Sequence, residues 1–168
     1  MDQNLDKKID FKIKLISIFK KHKIKFISLT TIVLIILVTF FAFNEKKKRK
    51  NVLLAEKYIK AGILLSNEKI SEAKNSYEEI IFENNEFYSL LALNQVLEKK
   101  LINNKSKILE YFLELEKKTT SSNLADLILF KKALYLMKND EIESGTTILN
   151  NLINKKSNLK SAAEEIIK

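Results

Sequence analysis

Between Phe26 and Phe43 the sequence reads FISLTTIVLIILVTFFAF, eighteen residues without a charge, and its only polar side chains are Ser28, Thr30, Thr31 and Thr39. As an α-helix rising ~1.5 Å per residue the stretch covers roughly 27 Å, close to the ~30 Å hydrocarbon layer of a bilayer. The four hydroxyls can turn back onto carbonyls of their own helix, so lipid would strand no polar group. Lys20, Lys21, Lys23 and Lys25 close one end, and Lys46, Lys47, Lys48, Arg49 and Lys50 close the other. Such collars suit headgroups, with the aliphatic stems snorkelling along the lipid. The pattern predicts a single transmembrane anchor over 26–43 rather than the core helix of a soluble protein. It also predicts an anchor that is not cleaved, because Ala42-Phe43-Asn44-Glu45 offers no small-x-small cleavage site.

On the N-terminal side, residues 1–25 form a basic tail with eight lysines against Asp2, Asp6 and Asp10. Its second half, Phe11 to Lys25 (FKIKLISIFKKHKIK), fits two readings. One is an amphipathic helix lying in the headgroup layer, and the other is an ordinary charged flank. His22 stands among lysines and reads as a solvated side chain rather than a ligand. Counting Lys and Arg near the anchor gives eight before it and seven between Asn44 and Ile63. That difference leans toward a cytoplasmic N-terminus but leaves the topology open.

On the C-terminal side a basic juncture, 44–50, leads into residues 51–168. The whole chain has no proline, cysteine or tryptophan and two glycines, Gly62 and Gly145. Sheets need turn residues that this chain lacks, whereas helices tolerate the shortage, so the expected class is all-α. Without cysteine there are no disulfides and no thiolate metal sites. The net charge of +9 raises the question of nucleic acid, yet Arg49 is the one arginine among thirty basic residues. Guanidinium is the better fork for phosphates and base edges, and lysines that serve a membrane surface account for the excess more simply. Nucleic-acid binding therefore ranks behind the lipid bilayer and other proteins as partners.

From Asn51 the apolar period is helical. Val52, Ala55, Tyr58, Ile59, Gly62, Ile63 and Leu65 form one stripe; Ile70, Ala73, Tyr77, Ile80 and Ile81 form the next. A third helix carries Tyr88, Leu91, Ala92, Val96 and Leu97 after Asn85, a candidate N-cap. A fourth carries Ile108, Leu109, Phe112, Leu113 and Leu115. Asn123 with Asp126 three residues on reads as a cap for a fifth helix, LADLILFKKALYLMK. A sixth is centred on Ile142, Ile148, Leu149 and Ile153, and Leu159 to Lys168 closes the chain.

These helices repeat weakly in pairs. Ala61, Ala92 and Ala133 share a place in the first helix of each pair. Nine residues later come Ile70, Leu101 and Ile142, then Ala73, Asn104 and Gly145, then Tyr77, Ile108 and Leu149. A small residue lets two helices approach, and a large one fills the gap beside it. The intervals are 31 and then 41 residues, so the array is irregular, and a generic antiparallel bundle is the alternative.

Ala73-Lys-Asn-Ser-Tyr77 resembles the small-x-x-x-aromatic signature in the second helix of the tetratricopeptide repeat (TPR). That repeat's first-helix Trp and Leu fall on Lys57 and Lys60, and its closing proline is missing. More widely, the basic tail, the anchor, the stretch Ala55 to Ile81, Tyr88-Ser-Leu-Leu-Ala-Leu and Leu124 to Ile153 are similar to the TPR-like proteins related to the ancillary subunit of the bacterial SecYEG translocon (the YfgM-like family). The resemblance implies a single-pass inner-membrane protein with a cytoplasmic N-terminus. It also implies an irregular TPR-like array of helical hairpins in the periplasm, near the translocon and periplasmic chaperones.

In that register the first helices line a concave side through Ala55, Tyr58, Gly62 and Leu65, then Glu86, Ser89, Leu93 and Val96, then Leu127, Phe130, Leu134 and Met137. An apolar groove of this kind binds a helix or an extended segment of a partner. The candidate partner-binding residues are Tyr58, Leu65, Leu93, Val96, Leu127, Phe130, Leu134 and Met137, with burial in the core as the competing role. No glycine-rich phosphate loop is present, no nucleophile stands with a base, and one histidine cannot build a typical metal centre. Pairs such as Glu98-Lys99 and Glu116-Lys117 read as solvated helix faces. The expectation is a non-enzymatic membrane-anchored interaction module without a cofactor, assisting protein translocation or chaperone traffic. The alternative is a membrane-tethered structural or assembly scaffold.

Overall fold

The computed structural model of the chain describes residues 23–83 and 85–168. His22 and most of the basic segment from Phe11 lie outside the described residues. Those described form seven helices joined by short turns, with no strand among them, as a chain so poor in turn residues should. They fall into two compact units, 1–50 and 51–168.

In the first unit the described residues all belong to α1, Lys23–Ser66, which carries the charge-free stretch. This helix is long and apolar enough to cross a membrane, and none of its apolar window is packed against protein. Thr31 donates to the carbonyl of Ile27 at 2.9 Å, and Thr39 donates to those of Ile35 and Ile36 at 3.0 and 2.8 Å. The helix continues through the basic juncture 44–50. Lys, Arg and Glu are strong helix formers, and Glu45 pairs with Arg49 at 3.1 Å in the favourable i, i+4 order.

The second unit comprises the rest of α1 with α2 (Ile70–Phe82), α3 (Glu86–Glu98), α4 (Lys105–Lys118), α5 (Ser122–Lys138), α6 (Ile142–Asn154) and α7 (Lys160–Ile167). From α2 to α7 each helix contacts the next, and α2 also touches α4. Four turns are built alike. Glu68, Lys100, Asp140 and Lys156 adopt the left-handed conformation, with φ of 61°, 50°, 65° and 55°. Each lets the following amide reach back five residues: Lys69 to Leu64, Leu101 to Val96, Glu141 to Leu136 and Ser157 to Leu152, at 2.9–3.1 Å. Glycine usually serves at this position, but neither glycine of this chain does.

Helix starts are capped where asparagine is free to do so. Asn85 accepts from the amide of Tyr88 and Asn104 from that of Lys107, both at 3.0 Å. The cap expected from Asn123 and Asp126 does not form. The helix begins at Ser122, Asn123 accepts from the Asn158 amide at 3.0 Å, and Asp126 is buried in an ion pair with Lys155. Tertiary partners have taken both side chains.

Two clusters form the core. The larger joins Ala61, Tyr77, Ile80, Leu93, Ile108 and Phe112 among others, and the smaller joins Ala133, Leu149, Leu152 and Ala163. Ala61, Ala92 and Ala133 are all fully buried, and so are Tyr77, Ile108 and Leu149. The middle pair departs from the repeat, because Asn104 caps α4 where Ala73 and Gly145 are buried. Ile59, Ile63, Ile70, Leu113 and Ile142, all on apolar helical stripes in the sequence, are exposed.

Candidate functional site

An amphipathic helix turns its apolar stripe toward the core, and where apolar residues beside that stripe stay uncovered they can wall a groove. From Asn51 on, α1 turns Leu54 and Ala61 into the core and half-buries Tyr58 and Leu65. Ile59 and Ile63, one turn apart beside that buried face, stay 60% and 55% exposed. Together they wall a groove of about 690 Å³. Tyr77 of α2 floors it, and Gln95 and Lys99 of α3 supply the polar rim.

The floor is rigid for identifiable reasons. Tyr58 packs edge-on against Tyr77 with ring centres 5.7 Å apart, and tilted against Tyr88 at 6.4 Å. Such pairs add to simple area burial. Burial first, and the neighbouring Tyr58 second, push the Tyr77 phenol above its ordinary pKa, so it stays a neutral hydrogen-bond donor. Gly62 leaves the passage open, since a β-carbon there would sit 3.6 Å from the Tyr77 hydroxyl.

The walls are pinned by polar contacts. Asn85 uses its carbonyl to cap α3 and donates its amide to Asn51 at 2.7 Å. Lys57 of α1 meets Glu79 of α2 at 2.5 Å. With an apolar lining and one amine and one amide on the rim, the groove can grip an apolar segment by contact. Among the described residues no group of three His, Cys, Asp or Glu could hold a metal ion.

The eight residues picked from sequence do not gather in one place. Tyr58 and Leu65 line the groove. Leu93 and Val96 are fully buried and belong to the core. Leu127 packs on the larger cluster, and Phe130 and Met137 pack on the smaller. Leu134 lines a separate, smaller cleft between α3 and α5. Sequence reasoning placed Ile59 and Ile63 on an apolar stripe but did not assign them to the groove, because periodicity does not show which part of a stripe is covered.

Compared with protein-family models, curated proteins and solved structures, the chain matches none.

Proposed function

We propose that this chain is a membrane-tethered, TPR-like protein-interaction module, held by the 26–43 stretch and binding an apolar segment of a partner in the α1–α3 groove. The observation that carries the reading is the pair Ile59 and Ile63, exposed on the wall of an open groove of about 690 Å³. Side chains of that size left uncovered beside a cavity mark an interaction surface. Support for the tether comes from an eighteen-residue window with no protein packed on it, whose hydroxyls bond within their own helix. Support for the TPR-like build comes from the burial of Ala61, Ala92 and Ala133 with Tyr77, Ile108 and Leu149.

By its resemblance to the ancillary translocon subunit, the module would stand in the bacterial inner membrane with residues 51–168 in the periplasm, assisting protein translocation or chaperone traffic. A photo-crosslinker in place of Ile63 in the full-length protein in cells tests this directly, with exposed Leu113 as the control position. Adducts to translocon or chaperone proteins from Ile63 alone support it. Adducts between copies of this chain indicate a scaffold instead, and equal labelling from both positions sinks the groove. Labelling of Ser122→Cys by a membrane-impermeant thiol reagent in intact spheroplasts supports the topology, and labelling only after lysis reverses it.

A further inference from the structure

The cleft that holds Leu134 differs in chemistry from the α1–α3 groove. It encloses about 390 Å³ between the C-terminal end of α3 and the second half of α5. Three lysines line it, Lys100, Lys131 and Lys138, with no acidic residue among the lining. None of the three has an ion-pair partner among the described residues. Their neighbours are matched: Lys132 pairs with Glu116 at 2.8 Å and Lys105 with Glu141. Ile102, Leu134 and Tyr135 form the apolar bed between the amines.

Spacing gives the cleft its specificity. Lys131, Leu134, Tyr135 and Lys138 stand at i, i+3, i+4 and i+7, one face of α5. The backbones of the two lysines are therefore ~10.5 Å apart along the helix, a spacing that two carboxylates two turns apart on a facing helix can match. Lys100 adds a third positive group from the facing element. Its place is fixed by the left-handed turn ending α3, where Leu101 N meets Val96 O at 3.0 Å. The opposite side of the bed is firm too, because the Tyr135 ring packs on Phe112 with centres 5.9 Å apart. Ammonium groups act as point charges rather than planar forks, which suits separated carboxylates better than a phosphate backbone.

We propose that this cleft docks an acidic amphipathic helix of a partner protein, with carboxylates about two turns apart flanking an apolar side chain that settles on Leu134 and Tyr135. The two clefts are independent, so this site stands whether or not the α1–α3 groove binds anything.

The test uses the full-length protein in neutral nanodiscs and a fluorescent helical peptide with Glu at i and i+7 around Leu at i+3. A scrambled peptide of the same composition is the control. The expected result is binding of the patterned peptide that weakens as salt rises. The double variant Lys131→Gln/Lys138→Gln should weaken it about ten-fold. Lys47→Gln/Lys48→Gln, which removes equal charge elsewhere, should leave it unchanged. Equal binding of the scrambled peptide, equal losses in both double variants, or no binding would each overturn the proposal. So would displacement of the peptide by vesicles of anionic phospholipid with the same dependence on Lys131 and Lys138, which would make the cleft a lipid site.

Discussion

Gly145 of α6 lies so close to Ala133 of α5 that a β-carbon on the glycine would stand 2.7 Å from the alanine's carbonyl oxygen. That oxygen is backbone and cannot swing aside, and the Met137 side chain crowds the same spot. Gly62 is the contrasting case, with its nearest neighbour at ordinary van der Waals distance.

Gly145→Ala should therefore destabilise the second unit by about 1–3 kcal/mol, as overpacking does. Gly62→Ala should stabilise it by up to about 1 kcal/mol through helix propensity. Denaturant midpoints of the full-length protein in detergent check both, and a stable Gly145→Ala protein would mean that α5 and α6 are not in close contact there.

The left-handed turn residues give a second expectation. L-residues in this conformation are strained by ~1–2 kcal/mol, and glycine relieves the strain at some cost in chain entropy. Glu68→Gly and Lys156→Gly should each stabilise by about 0.5–1 kcal/mol. Lower melting temperatures for both variants would contradict the turn geometry.

Acid should weaken the contact between the start of α5 and the end of α6. Burial alone would raise the Asp126 pKa, but the Lys155 ammonium and the Ser157 hydroxyl outweigh it and hold the carboxyl below its usual range. A depressed folded pKa stabilises above the unfolded value, near pH ~3.9, and that contribution disappears as pH falls through the folded one. Asp126→Asn should be less stable than the parent at neutral pH and converge with it in acid. A gap between the two that is the same at every pH would remove the ion pair from the account.

Alkali acts through the tyrosines. Burial, then the Glu78 carboxylate, raises the Tyr111 phenol well above its ordinary value. Burial likewise raises Tyr77 and Tyr135. A raised folded pKa stabilises below the unfolded value and is lost as pH rises, so stability should decline above pH ~10. Ionisation of Tyr77, Tyr111 and Tyr135 should accompany loss of helix; complete ionisation of the tyrosines without unfolding would refute their burial.

The anchor has its own test. Full-length protein should stay with vesicles through alkaline carbonate washing, and residues 51–168 expressed alone should stay helical in solution. Release of the full-length chain by carbonate would end the membrane reading, because a spanning helix is not rinsed out.

Local rules were enough for the elements. Eighteen uncharged residues, a 3.6-residue period and a lack of turn chemistry announced a long apolar helix and a helical remainder, and Asn85 announced its cap. The same rules misled wherever a distant partner competed. Asp126 looked like a capping residue until Lys155, far along the chain, took it. Ile59 and Ile63 stood on an apolar stripe, but periodicity records which face is apolar, not whether anything covers it. Leu93 and Leu134 carried one label in sequence, yet one is fully buried and the other lies in a basic cleft.

The sequence by itself determined helical class and the place of the apolar stretch, since each depends on residues close together along the chain. Only the tertiary structure decided which apolar faces stay open and which lysines go unpaired. Burial and charge pairing are set by residues tens of positions apart, whose meeting no local pattern encodes.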